Sequence, residues 1–368
     1  MMGVVAAILF MVILQNFLLY LGLVLNFKDH KSELDEKQLP NISVLVPARN
    51  EADNLPSCLH SLAALEYPEE KIEFILGNDG SSDQTENIMK EWAAAYPNRK
   101  YVNIKPQVTM SMNGKANALS QLIEVAKGDY FIFTDADCQV GPTWAKEMIG
   151  CSIRQQADLV TGITRVTPKN WFTAMQGLDW WLTLGMVKIF ADLNYTLTSM
   201  GNNMLVSKKA YEAVGGFENL PLSVTEDFQL AQALHHHGFK AIHQVASDNL
   251  VQTEGEKTLS ELMSQRKRWM RGALGLPWIW KVMLALQVLF FPCILIFMWF
   301  SPGFGLAIWL GKALAQSLFI KDFARSTGTI ILPFHLISFE LYYIFISWST
   351  IVCYFWPTKI DWKERKYS

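Results

Sequence analysis

The chain has 368 residues, 51% of them apolar, with a formal net charge of −2 at pH 7 and a mean hydropathy of +0.14. That length accommodates one large domain with attachments or two modest ones, and the charge gives no electrostatic ground for binding nucleic acid. The five cysteines, Cys58, Cys138, Cys151, Cys293 and Cys353, include no CxxC pair. This argues against a disulfide framework or a zinc site and for reduced thiols facing the cytosol.

Residues 3–27 carry no charge. At ~1.5 Å rise per residue, a helix of that length crosses a ~30 Å hydrocarbon layer. No Lys or Arg precedes the run, and it is too long for the core of a cleaved signal peptide. Residues 1–27 are therefore expected to span a membrane. Lys28 and Lys31 follow, and positive-inside bias places the next segment in the cytosol, against the inner membrane.

The pattern then changes. "ISVLVP" (42–47) reads as a buried strand, and "ADNLPSCLHSLAAL" (52–65) has helical spacing with Leu55, Leu59 and Leu62 on one face. "IEFILGNDGSSDQT" (72–85) is a second strand running into a turn, with a helix from about Asp83. "MNGKANALSQLIEVA" (112–126) is a loop and a third helix. "DYFIFTDADC" (129–138) is another strand. Apolar strands alternating with helices predict an α/β, Rossmann-like, mostly parallel sheet covered on both faces. Ligands of such sheets bind beyond the carboxyl ends of the strands. Three polar clusters fall at strand ends: Arg49 to Glu51, Asp79 to Asp83, and Asp135 to Asp137. They indicate a nucleotide-type site. With no GxGxxG and no GxxxxGK[ST], dinucleotide and P-loop chemistry are unsupported.

Further on, "NWFTAMQGLDWWLTLGMVKIF" (170–190) is compatible with a buried core helix or with one lying on the bilayer. Residues 282–300 are apolar throughout, with Trp278 and Trp280 as interface anchors. Residues 303–320 form a weaker span containing Lys312, and 329–355 a third containing His335 and Glu340. Counting all three gives four spans and leaves the tail "WKERKYS" outside, yet that tail is basic, which argues inside. One of the weaker segments is then re-entrant or interfacial. The expected boundaries are 1–27 (span), 28–255 (cytosolic domain), 256–281 (juxtamembrane segment), 282–356 (two to three transmembrane or interfacial helices) and 357–368 (basic tail).

Alternate residues of a strand point the same way. Asp135 and Asp137 converge on one ligand if strand geometry persists past Thr134. Two close carboxylates share a proton or bind a cation, and Mg2+ or Mn2+ commonly binds through one or two carboxylates plus substrate phosphates. A solvated acidic turn is the alternative for an isolated DxD. Asp227 could merely cap the helix "DFQLAQALHHHG". His235 to His237, at that helix's end, favour its dipole or hold a metal. "GNNM" (201–204) lines an acceptor pocket or forms a turn.

The DxD is not isolated. "ARNE", "NDGSSD", "GKANAL", "DAD", "TED" (225–227) and "QRKRW" (265–269) occur in that order. The set resembles that of inverting, membrane-bound glycosyltransferases of family 2, a class including cellulose and hyaluronan synthases and ceramide glucosyltransferase. The resemblance covers residues 40–275 and the flanking spans, and implies a GT-A fold. It implies that Pro47, Ala48, Arg49, Glu51 and Asp79 hold the nucleoside of a nucleotide-sugar, with UDP as carrier. The family usually writes Asp-Asp-Gly-Ser where this chain has Asn78-Asp79. Lys115 would sit near the nucleotide, Asp135 and Asp137 would bind ribose and an Mg2+ or Mn2+ ion, and Asp227 would be the general base. Gln265, Arg268 and Trp269 match Gln-x-x-Arg-Trp, with Arg268 facing the diphosphate and Trp269 stacking on the acceptor. The expected partners are a nucleotide-sugar, a lipid or glycan acceptor and the membrane. Transfer of one sugar to a lipid acceptor is preferred over processive polysaccharide synthesis, because three C-terminal spans offer little wall for a pore. A non-catalytic scaffold keeping the nucleotide-sugar fold is the remaining alternative.

Overall fold

The computed structural model describes residues 2–31, 34–107 and 112–356, and the backbone of 360–362 and 365–367. The side chains of the expected basic tail, 357–368, lie outside the described residues. In chain order the elements are α1 (Met2–Asn26), β1 (Ile42–Ala48), α2 (Leu55–Ala63), β2 (Ile72–Asn78), α3 (Thr85–Ala94), β3 (Arg99–Asn103), α4 (Gly114–Glu124) and β4 (Tyr130–Phe133). There follow β5 (Cys138–Gln139), α5 (Trp144–Gln155), β6 (Leu159–Thr161), β7 (Ile163–Val166), α6 (Trp171–Asp192), β8 (Met204–Ser207), α7 (Lys208–Ala213), α8 (Glu226–His236), β9 (Ala241–His243) and β10 (Leu250–Thr253). The last group is α9 (Leu259–Ala273), α10 (Trp278–Phe300), α11 (Pro302–Arg325), α12 (Pro333–Phe355), β11 (Ile360–Trp362) and β12 (Arg365–Tyr367). These elements form two compact units, Lys28–Arg165 with Phe190–Glu254, and Met1–Phe27 with Val166–Ile189 and Gly255–Ser368.

The first unit is built on a seven-stranded sheet of order β3-β2-β1-β4-β8-β6-β9. Strands β1 to β4 are mutually parallel, β8 runs antiparallel between β4 and β6, and β9 is again parallel to β6. Alternation along β1 explains its nearly all-apolar sequence. Val44 and Val46 pack with Leu55, Leu59 and Trp144 on one face, and Leu45 packs with Leu119, Leu122 and Leu230 on the other. A sheet covered on both sides needs apolar residues at both phases of the strand.

Register brings the polar clusters to one edge. Ala48 pairs with Asn78, Asn78 with Asn103, and Leu45 with Phe133, so the residues following β1, β2 and β4 emerge together. The strand β4 is shorter than expected. It ends at Phe133, and the Cys138 N–H donates to the Asp135 carbonyl at 3.1 Å. Asp135 and Asp137 therefore sit on a turn rather than on an extended strand, because their mutual repulsion and need for water oppose continued sheet burial.

In the second unit, α1, α10, α11 and α12 are each long and apolar enough to cross a membrane. The core between α1 and α10 pairs Val5, Leu9 and Val12 with Phe290, Cys293 and Ile294. Helix α6 is rich in Trp and Met, and its buried Asp179 pairs with Arg266 of α9. All five cysteines are free thiols.

Candidate active site

The loops after β1 and β2 are tied into one surface. The Asp79 N–H donates to the Ala48 carbonyl at 2.9 Å, and Arg49 Nη1 donates to the Asp79 carbonyl at 3.2 Å. Asn50 adopts φ = 53°, a left-handed conformation that Asn tolerates better than most residues. Its N–H donates to Ser81 Oγ at 3.1 Å, and its Oδ1 accepts from the Ser82 N–H at 2.8 Å. The Glu51 N–H donates to Thr85 Oγ1 at 2.8 Å. Asn78 is buried and accepts from the Ser81 N–H at 3.1 Å, a turn that a carboxylate would close equally well. Pro47, Ala48, Arg49, Glu51 and Asp79 thus belong to one interlaced rim.

Beside it stands the acidic turn. Lys115 Nζ lies 2.5 Å from Asp135 Oδ1 and 3.6 Å from Glu226 Oε1. Burial alone would lower the lysine's pKa, but Asp135 and Glu226 outweigh it and push the ammonium up. At Asp137 the pull of Lys115 is outweighed. Burial, then Asp135 and Glu51, raise its carboxyl to about 6, while the Cys138 thiol donates to Asp137 Oδ1 at 3.3 Å. Two hard oxygen donors, one held above its ordinary range by burial and by neighbouring carboxylates, suit a divalent cation. Among the described residues no group of three or more His, Cys, Asp or Glu is placed to hold a metal by itself. Asp135 and Asp137 could supply two oxygens to such an ion, and His235 to His237 form no metal cluster among those residues.

Asp227 begins α8. Its Oδ2 accepts from the Gly201 N–H at 2.8 Å and its Oδ1 from the Phe228 N–H at 2.8 Å. Burial and then Glu226 raise its carboxyl to about 6, against the opposing pull of Lys115 and the two backbone donors. Two residues here had no role in the sequence reading, and a third, Gly201, entered it only within "GNNM". Glu226 Oε2 accepts from Asn113 Nδ2 at 2.9 Å, and Asn113 Oδ1 caps α4 by accepting from the Ala116 N–H at 2.8 Å. One carboxylate thus links the helix start that carries Lys115 to the helix start that carries Asp227. Gly201 is the third: a Cβ there would meet Asp227 at 3.3 Å and Lys115 Nζ at 3.4 Å. The only sequence signals were the Asn at the N-cap position of "NGKAN" and the glycine of "GNNM". Asn203 of that motif serves the core, donating to the Ile163 and Asn249 carbonyls and accepting from the Trp144 indole.

Gln265, Arg268 and Trp269 lie on α9, in the other unit. Gln265 Nε2 donates to Glu256 Oε1 at 2.7 Å. Trp269 sets an edge against Trp180, with ring centroids 5.6 Å apart. The intervening Arg266 pairs with Asp179. This fixes the rotation of α9 about its axis within its own unit.

The model of the family described as "Glycosyl transferase family 21" matches residues 4–368. The chain belongs to glycosyl transferase family 21. The motifs had pointed to membrane glycosyltransferases under the family 2 number, in a class taken to include ceramide glucosyltransferase. This family 21 chain is 28% identical over 254 residues to the beta-monoglucosyldiacylglycerol synthase of Trichormus variabilis, covering 68% of the chain and 53% of that protein. It is 28% identical over 245 residues to the poly-beta-1,6-N-acetyl-D-glucosamine synthase of Staphylococcus aureus, covering 66% and 57%. It spans about half the length of these curated relatives. Among solved structures, the mannosyltransferase PcManGT from Pyrobaculum calidifontis, in complex with GDP-Man and Mn2+, has a TM-score of 0.61 at 16% identity, covering 96% of the family 21 chain and 100% of its own. At that identity the likeness concerns fold alone, and it bears out the GT-A-type α/β fold.

Proposed function

We propose that the protein is a membrane glycosyltransferase that moves a sugar from a nucleotide-sugar, a UDP-sugar in our reading, to a lipid acceptor with inversion. The catalytic domain, residues 28–255, faces the cytosol at the inner membrane. The observation that carries this reading is the cluster at the sheet edge, where Lys115 bridges Asp135 and Glu226 beside an Asp227 carboxyl raised to about 6. A carboxyl with that pKa is ionised at neutral pH yet basic enough to accept a proton, the condition for an effective general base.

Each residue has a physical task. Arg49, Glu51 and Asp79 form the nucleoside side of the rim. An Mg2+ or Mn2+ ion held by Asp135 and Asp137 would supply charge that offsets the departing diphosphate. Lys115 places an ammonium where donor phosphates need counter-charge. Asp227, held by the Gly201 and Phe228 N–H groups, takes the proton of the acceptor hydroxyl, whose direct attack inverts the anomeric carbon. Gln265, Arg268 and Trp269 bind diphosphate and acceptor. Similarity to the monoglucosyldiacylglycerol synthase favours a lipid acceptor. Similarity to the poly-N-acetylglucosamine synthase favours a second reading, processive synthesis.

The test is a panel of nucleotide-sugars incubated with membranes carrying the protein, followed by mass spectrometry of the lipid fraction. A one-sugar lipid adduct is expected, made in the presence of Mg2+ or Mn2+ and lost with EDTA. Long polymer would select the second reading. UDP binding retained in Asp227→Asn with no turnover supports the base; undiminished turnover removes it.

A further inference from the structure

Helix α12 is as hydropathic as α11, but its contacts are those of a different kind of element. Among the described residues, no helix between α1 and α10 is long and apolar enough to cross a membrane. Everything joined between Lys28 and Pro277, including α6 and α9, is therefore on one side. Helix α9 carries Arg266, Lys267, Arg268 and Arg271 within 15 residues, so it cannot lie in hydrocarbon. It runs by a short turn into α10, where Lys281 Nζ donates to the Leu274 carbonyl at 3.0 Å.

Helices α10 and α11 form a hairpin about Ser301. Phe291 meets Trp309, with ring centroids 6.4 Å apart, and Lys312 Nζ sits 5.5 Å from the Phe290 ring. The end of α11 returns to the side on which α1 ends, since Tyr20 donates to Asp322 Oδ2 at 2.8 Å. Helix α12 thus starts on the α9 side. It also finishes there. Near its beginning, the Trp171 indole of α6 donates to Ser338 Oγ at 3.1 Å. Further along, the Tyr342 ring meets Trp171 and Phe172 of α6, with centroids 6.1 and 6.4 Å apart. At its far end, Lys267 Nζ of α9 donates to the Trp356 carbonyl at 2.9 Å, and β11 packs on α9 as well. Ser338 and Trp356 are ~27 Å apart along a helix axis. A spanning helix would carry Trp356 to the opposite headgroups.

The exposed residues of α12 make one lane: Ile337, Leu341, Phe345, Trp348, Val352 and Phe355. The spacing of three and four keeps them on one face. The opposite face buries Phe339, Glu340, Tyr342, Ile346 and Thr350.

We infer that α12 does not cross the bilayer but lies in the leaflet on the α9 side. Its apolar lane is covered by acyl chains, and its inner face packs on the helices that carry the cations. The chain then crosses three times, and the segment after α12 returns to the side of α9. The lane is wholly apolar and lies opposite the buried face of α12, and the neighbouring α9 carries the cations that suit a headgroup level; these two features identify the occupant as lipid. This placement removes the parity conflict raised by the basic tail, and it holds whatever reaction the protein catalyses.

The test uses the full-length protein in sealed vesicles of known orientation, in a Cys353→Ser background. Added thiols, beside the four buried native cysteines, are placed one at a time at Ser260→Cys in the first turn of α9, Gly303→Cys at the start of α11 and Ser368→Cys in the tail, and labelled with a membrane-impermeant maleimide. The tail thiol is expected to label with the sidedness of the Ser260 position and opposite to Gly303. Labelling with Gly303 overturns the inference. A second measurement needs no tail: spin labels at Ile337, Phe345 and Val352 are expected to report one common shallow depth. A profile deepest at Phe345 and shallow at both flanking positions would describe a spanning helix and sink the proposal.

Discussion

Asp227→Asn is expected to abolish turnover and to stabilise the fold. The Asp227 carboxyl rises from its ordinary 3.8 to about 6, through burial and then Glu226. That rise corresponds to about 3 kcal/mol of preference for the neutral form. The sign follows from linkage. A carboxyl whose pKa is raised on folding contributes fully below its unfolded value, and the contribution is lost as pH rises through about 6. Asn is neutral throughout and escapes that loss. It retains one oxygen for the two backbone donors, Gly201 and Phe228, so roughly 1 kcal/mol goes with the second bond. Partial exposure of the side chain trims the gain further. A net stabilisation of about 1–2 kcal/mol is expected at pH 7.5, and roughly half of it at pH 5. The assay is thermal unfolding of detergent-solubilised parent and variant at both pH values, alongside turnover, which should fall by ~10²–10⁴-fold. A variant less stable than the parent at pH 7.5, or a gain that does not shrink on acidification, would refute the reasoning.

Four further expectations follow from the same geometry. Turnover of the parent should rise with pH through about 6, as Asp227 ionises; in Glu226→Gln, which removes the largest raising charge, that limb should move to lower pH in a kcat profile. Lys115→Met breaks contacts to Asp135 and Glu226, and a lost charge-assisted bond of about 1.5–3 kcal/mol should weaken donor binding by ~10–100-fold in titration calorimetry. Arg266→Ala leaves Asp179 buried without its partner and should cost about 3–5 kcal/mol, read as a lowered unfolding midpoint that Asp179→Asn partly restores. Gly201→Ala puts a methyl 3.3 Å from the Asp227 carboxylate and should lower kcat more than it changes donor affinity.

The clusters at the sheet edge were legible because each parallel strand is an apolar run that stops at polar residues, and the register places those stops together. The surroundings of Asp227 were less so. Glu226 meets Asn113 across 113 residues of chain, a contact created by folding that no local pattern encodes. The DxD was read correctly as paired carboxylates, but its geometry is a turn, since strand β4 ends at Phe133. Hydropathy gave four candidate spans and could not rank α12 below α11, because the distinction lies in what Ser338, Tyr342 and Trp356 touch. The basic tail hinted at it, through charge alone.

The reversed strand β8 has a consequence for how such a scaffold diversifies. Met204 pairs with Phe133, so β8 enters the sheet at the very edge where its parallel neighbours leave it. The residues proposed to serve the donor are therefore appended downstream of their strands, whereas Gly201 is delivered upstream of one. Insertions or deletions in the connection ahead of Met204 would remodel the approach to Asp227 without shifting the pairing of β1, β2 and β4. On the proposed mechanism, the acceptor side is free to drift toward new recipients while the donor side stays committed to its leaving group.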